Sequence, residues 1–263
     1  MMTASCAEGR QALPFLIAVP SWLAPGTVSE NCTLAAREFA GKVQEISLMF
    51  LETEACLAYS REELHASWPE GAAPFSFHVH LPLDLPWHLG FEKAWEKCRA
   101  LLQLCAPLQP RCYVLHPPCA SAELLPLLAE RFAQAGVAPE NVLLENVREN
   151  DLTGIWPQIQ ASGFSCCLDL GHILAYGQEA LLELRGLWER TAMLHLSAPD
   201  PTIPSRHAPL SMLDKAGLTL LRRLLRHLRP GSCLTVEVFD LDGARRSLEF
   251  LHQLTQPCSR EGQ

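Results

Sequence analysis

The chain has 263 residues, 48% of them hydrophobic and 19% charged, with a formal net charge of −8. That apolar fraction excludes a disordered chain, and the length can bury one sizeable core. The acidic balance argues against a broad phosphate-backbone surface, so no nucleic-acid partner is expected, although a small anionic substrate at a local site stays compatible.

Eight short apolar runs recur with starts roughly 30 residues apart, the size of one strand–helix unit. The first, Pro14–Pro20, follows Arg10; it is short and bounded by prolines, and reads as a buried strand rather than a signal peptide. Val43–Leu51 and Phe75–Leu81 come next, and then the amphipathic stretch Phe91–Leu104, which suits a helix. Cys112–His116 precedes a helix over Ser121–Ala135, with Ser121 as its N-cap and Gly136 as its C-cap. Val142–Glu145 and Phe164–Asp169 are the fifth and sixth strands, followed by a helix over Gln178–Trp188. Ala192–Leu196, a helix over Ser211–Leu228, Cys233–Val238 and a helix over Ala244–Leu254 complete the series.

Continuous apolar strands alternating with helices point to a parallel sheet covered on both faces. Eight units in this length predict an α/β fold, a single (β/α)8 barrel over residues 1–256 with a short polar tail over 257–263. A doubly wound open sheet is the runner-up, but no Gly-x-Gly-x-x-Gly follows the first strand. No run of about 18 apolar residues occurs, so no membrane partner is expected. The 11 cysteines are scattered, without a CxxC pair, which fits reduced thiols and a cytoplasmic protein.

Polar residues gather at the strand ends. His78, His80, His116, His172, His195 and His207 lie at the C-terminal end of a strand or in the loop after it, with Asp84, Glu145, Asp169 and Glu237. In a barrel those ends build the active site. Taken singly, such a histidine is more often a structural residue and such an acid a helix cap. Taken together on most of the strands, they point to divalent metal, because burying so many charges without a metal or mutual pairing is costly. His78 and His80 are two apart and point to the same face of their strand. Asn146, next to Glu145, is placed to orient it as a second-layer donor.

The phrases HLP (His80–Pro82), VLHPP (Val114–Pro118), LLEN (Leu143–Asn146), CLDLGH (Cys167–His172), LHLS (Leu194–Ser197), RH (Arg206–His207) and VEV (Val236–Val238) occur in that order. They resemble the metal-binding motifs of the endonuclease IV and xylose isomerase-like barrel superfamily, over nearly the whole chain. The resemblance implies a metal-dependent hydrolase holding two divalent cations or three, zinc or manganese. Glu145 would bridge two ions, with His80, His116, Asp169, His195 and Glu237 as further ligands. His172 and His207 match two ligands of a third ion in the nuclease branch; that branch has Asp two residues before the final histidine, where this chain has Ser205. Glu145, His172 and His207 would then be the catalytic residues.

The segment FHVHLPLDLPW (Phe77–Trp87) is similar to a signature of the cobamide-remodelling phosphodiesterases, a smaller branch of that superfamily. This implies a small-molecule corrinoid substrate contacted by His78, Asp84 and Trp87, with Arg206 as a phosphate contact. Trp22, just after the first strand, is a further residue placed to stack on a corrin or base face. Two other branches imply other activities. A sugar isomerase or epimerase uses four ligands (Glu145, Asp169, His195 and Glu237), and an endonuclease IV-like nuclease acts on DNA.

Overall fold

The computed structural model describes residues 14–64, 75–118, 121–203 and 206–255. Ten strands are β1 (Leu16–Pro20), β2 (Glu45–Met49), β3 (Ser76–His80), β4 (Tyr113–Leu115), β5 (Val142–Glu145), β6 (Ser165–Asp169), β7 (Thr191–Leu196), β8 (Ala198–Pro199), β9 (His207–Ala208) and β10 (Cys233–Val236). Eight of them close a parallel barrel in the order β1-β10-β7-β6-β5-β4-β3-β2. The remaining two, β8 and β9, form an antiparallel pair in the loop after β7. The expected (β/α)8 architecture is therefore the observed one.

The helices are α1 (Val28–Glu38), α2 (Thr53–Leu57), α3 (Arg61–Leu64), α4 (Phe91–Cys105), α5 (Ser121–Gln134), α6 (Trp156–Ser162), α7 (Leu170–Tyr176), α8 (Leu187–Arg190), α9 (Lys215–His227) and α10 (Leu241–Thr255). They form because apolar positions repeat at helical spacing and caps stop the ends. In α9, Gly217, Leu220, Leu221 and Leu224 are buried along one face, and the Asp214 side chain accepts from Gly217 N at 2.8 Å. Gly136 ends α5 with φ +84°, which a residue bearing Cβ rarely adopts.

The helix expected over Gln178–Trp188 is absent. A 3-10 turn at Glu179–Glu183 and the single turn of α8 occupy that stretch, separated by Gly186 at φ +81°. The longer helix of this unit is α7, which starts directly at Asp169. No helix of the described residues is long and apolar enough to cross a membrane. The tail over 257–263 and Ser205 lie outside the described residues.

The core is in two parts. Leu, Ile, Val and Phe side chains fill the layer between strands and helices. The barrel interior holds a smaller cluster, Ala18, Val114, Leu143, Cys167, Met193 and Cys233. Two residues on from Leu143, Cys167 and Met193, and so on the same face of each strand, stand Glu145, Asp169 and His195. The register sets Asp169 opposite His195, and His195 opposite Thr235.

Candidate metal centre

At the C-terminal end of the barrel, Glu145 is the hub. It is 1% exposed. Its Oε2 lies 3.1 Å from His80 Nε2 and 3.4 Å from His116 Nε2, and its Oε1 lies 3.1 Å from His195 Nδ1. His195 Nδ1 also stands 3.1 Å from Glu237 Oε2, and His207 Nδ1 stands 3.5 Å from the same oxygen. Ligand atoms of Glu145, Asp169, His195 and Glu237 all fall within 4.8 Å of one another, as do those of His80, His116 and Glu145. Glu237 and His116 each sit one residue past the last paired residue of their strand, where side chains turn into the barrel mouth.

Hydrogen bonds behind the ligands fix their orientation. His80 Nδ1 is 2.9 Å from the Leu81 carbonyl, so it carries the proton and leaves Nε2 as the inward donor atom. His172 Nδ1 is likewise 2.9 Å from the Asn146 carbonyl. The Asn146 side chain accepts from Asp169 N at 2.8 Å and donates to Gln178 Oε1 at 2.9 Å. Asn146 therefore ties β5 to β6 and to His172. It aligns the neighbouring Asp169, not the Glu145 carboxylate it was expected to orient.

Asp169 Oδ1 accepts from His172 N and caps α7, leaving Oδ2 turned inward. Gly171 is required at this corner: a Cβ there would stand 2.5 Å from Ser197 Oγ and 3.2 Å from Asp169 Oδ1. His207 is brought to the mouth by the β8–β9 pair, which the sequence pattern did not predict.

The electrostatics suit bound cations. Burial raises the Glu145 carboxyl, but His195, His116 and His80 outweigh it and hold the group well below the carboxylate range. Asp169 is raised, chiefly by burial. His195 is raised well above the usual imidazole range, because Cys167, Glu237 and Glu145 outweigh its burial. His172 is pushed up to about 9, with Asp169 and Glu145 overcoming burial. Asp169 Oδ2 and His195 Nε2 are buried without a hydrogen bond, and Glu237 Oε2 is met only by the two imidazoles. Unpaired buried polar atoms are costly, and a divalent ion satisfies an imidazole and carboxylate set of this kind. The residues present fit such a metal.

A cavity of 490 Å³ opens onto this centre. Glu145, His80, His116, His172, His207 and Glu237 line its floor, and Arg206 stands on its wall. Met49, Leu51, Leu83, Phe239 and Asp240 also line it. None of these five was singled out in the sequence. Their signal was position: each lies at, or within a few residues of, the C-terminal end of a strand.

Three residues expected at the substrate stand elsewhere. His78 does not line the cavity; it is fully buried one pleat below His80. There its Nδ1 lies 2.7 Å from Glu45 Oε1 and its Nε2 3.4 Å from Thr235 Oγ1, while Arg111 pairs with the other Glu45 oxygen at 2.5 Å. Burial lowers the His78 imidazole. Burial raises the Glu45 carboxyl, but His78 and Arg111 hold it at about 2. Asp84 accepts from Thr53 N and Thr53 Oγ1, both at 2.7 Å, and so caps α2, whose own N-cap Glu52 makes no side-chain bond. Trp87 packs on the helix side, its ring 6.3 Å from that of Phe91.

No family model and no curated protein matches the chain. Solved structures do. A D-tagatose 3-epimerase-like protein matches with TM-score 0.67 at 16% identity, over 91% of this chain and 96% of that one. Endonuclease IV from Thermus thermophilus matches with TM-score 0.67 at 18% identity, over 91% and 98%. The IolI protein, solved with a binding zinc atom, matches with TM-score 0.58 at 14% identity, over 91% and 94%. The closed parallel barrel is the fold that this chain shares with them. At these identities the likeness extends to the fold alone.

Proposed function

We propose that the chain is a divalent-metal-dependent phosphodiesterase acting on the nucleotide-loop phosphodiester of adenosylcobamides, releasing adenosylcobinamide phosphate and an α-riboside. The observation that carries this reading is the ligand count at one cavity. His116, His172 and His207 join the Glu145, Asp169, His195 and Glu237 set, more donors than a single-ion site uses. The FHVHLPLDLPW resemblance supplies the substrate class, and the −8 net charge disfavours the nuclease alternative.

His80, His116, Glu145, Asp169, His195 and Glu237 would hold two zinc or manganese ions, with His172 and His207 able to take part in a third. Bound there, the ions supply Lewis acidity toward the phosphoryl oxygens and acidify water. Glu145, held ionised between its histidines, would be the carboxylate shared by two ions. Arg206, exposed on the wall, orients the phosphate. His172 and His207, partly exposed, line the cavity in which the leaving oxygen would lie. His78 and Asp84 support the site from beneath and beside it, and Trp87 packs behind the loop.

A sugar isomerase or epimerase reading is favoured by one observation. The four-residue set Glu145, Asp169, His195 and Glu237 is complete in itself. One assay separates the two. Protein of counted metal content is incubated with adenosylcobalamin and manganese or zinc, and products are read by mass spectrometry. Cobinamide phosphate that disappears with a chelator supports phosphodiester cleavage. No such product, with turnover of a ketose panel, supports the isomerase.

A further inference from the structure

Five large apolar side chains stand exposed among the described residues: Trp22, Leu83, Leu89, Ile203 and Met212. Exposed apolar groups scattered at random need no explanation. These are not scattered. Trp22 follows β1, Leu83 and Leu89 follow β3, Ile203 lies between β8 and β9, and Met212 follows β9. All five are therefore on the loops at the C-terminal end of the barrel, around the mouth of the metal cavity. Leu83 is 53% exposed and also lines that cavity, so the apolar rim and the cavity wall are continuous.

The barrel order makes this rim an arc. Going round, β7, β10, β1, β2 and β3 are consecutive. Phe239 after β10 and Leu51 after β2 fill the gaps between the exposed groups. Opposite β1 and β2 in the ring stand β5 and β6. Their loops form a second recess, lined by Arg148, Glu149, Asp151, Tyr176 and Gln178. Tyr176 connects it to the centre, its ring 5.6 Å from that of His172. The exposed apolar groups stand on one side of the metal floor, beside Arg206 and Asp240, and the polar recess stands on the other.

We infer that the apolar arc from β7 round to β3 is a binding subsite for a broad apolar ring system carried by the substrate. The polar, hydrogen-bonding part beyond the scissile bond then lies over β5 and β6. This rests on the phosphodiesterase reading and adds the direction in which the substrate crosses the site. Apolar area removed from water drives such binding, and a Trp face adds stacking.

The test measures binding rather than turnover. Equilibrium dialysis is run with cobinamide, a corrinoid lacking the nucleotide, against the full chain and the variants Trp22→Ser, Leu89→Ser and Arg148→Ser. All three positions are exposed, so folding is retained. The expected result is that Trp22→Ser and Leu89→Ser each weaken cobinamide binding about tenfold, while Arg148→Ser leaves it unchanged. Wild-type affinity in both rim variants, or no cobinamide binding by the wild type, overturns the subsite. Hydrolysis of bis(p-nitrophenyl) phosphate by the zinc-loaded protein is measured in parallel. Its absence, with cobinamide binding still lost in the rim variants, rejects the phosphodiesterase reading and leaves the subsite standing.

Discussion

His78 and His80 are neighbours on one face of β3, yet they belong to different kinds of chemistry. His78 meets Glu45 and Thr235 in a lower layer, where Arg111 pairs with the other Glu45 oxygen and each charged group has an opposite or a hydrogen-bonding partner. His80 meets Glu145 in an upper layer that leaves Asp169 Oδ2 and His195 Nε2 buried without a hydrogen bond. The residue types are nearly the same, and Glu45, His78 and Cys233 even approach one another as a metal's ligands do. What differs is satisfaction. In the lower layer Arg111 supplies the positive charge that a cation would bring, and neither Glu45 nor His78 lines the cavity above the upper layer. A ring of imidazoles and carboxylates marks a metal centre only where the protein has not already neutralised it.

The sharpest way to break the comparison is to remove the hub of the upper layer. Glu145→Gln is expected to lower kcat by about a thousandfold and to reduce the bound metal counted by mass spectrometry, since the lost charge stabilisation amounts to several kcal/mol. The fold is expected to survive.

The matching change below, Glu45→Gln, has the opposite profile. It leaves metal content intact and costs about 3 kcal/mol of stability in denaturant titration, because it strands Arg111 and His78. The pH dependence sharpens this. Glu45 titrates at about 2 in the folded chain, against an ordinary 4.5. Its contribution is present above about 4.5 and is lost as the pH falls toward about 2. Stability of the wild type therefore drops through that window, and Glu45→Gln flattens the drop.

Asn146→Ala tests the tie between the two halves of the upper layer. It is expected to weaken metal affinity about 10- to 100-fold, measured by competition with a chelator, and to cost about 1–3 kcal/mol of stability, because Asp169 N and Gln178 Oε1 lose their buried partner. The smallest effect belongs to Asp84→Ala. As a cap on α2, Asp84 contributes about 1 kcal/mol, and its loss lowers Tm by about 2–4 °C while KM stays unchanged. A raised KM with an unchanged Tm would instead give Asp84 the substrate contact that the sequence pattern assigned to it.

The barrel itself was legible because its strands are short apolar runs at even spacing, and even spacing is what closure of eight units requires. Glu145, Asp169, His195 and Glu237 were legible for the same reason: each stands at or beside the end of a strand. The depth of His78 was not legible, because alternation tells which face a residue shares and not how deep it lies. Its neighbours in the lower layer, Glu45 and Arg111, come from distant segments, with 33 residues between the numbers of Glu45 and His78 and 66 between those of Glu45 and Arg111, and carry no local signal. The role of Asp84 was hidden in the same way, since the helix it caps begins 31 residues earlier. The β8–β9 pair that presents His207 is two residues long on each side, too short for any periodicity to register.

The upper layer holds metal, on this account, and the lower layer does not. A crystal of the full chain soaked in zinc, with diffraction measured above and below the zinc absorption edge, tests this directly. Anomalous peaks are expected within ligand distance of Glu145, Asp169, His195 and Glu237, with none between Glu45, His78 and Cys233. A peak in the lower layer, or none in the upper, would contradict the account.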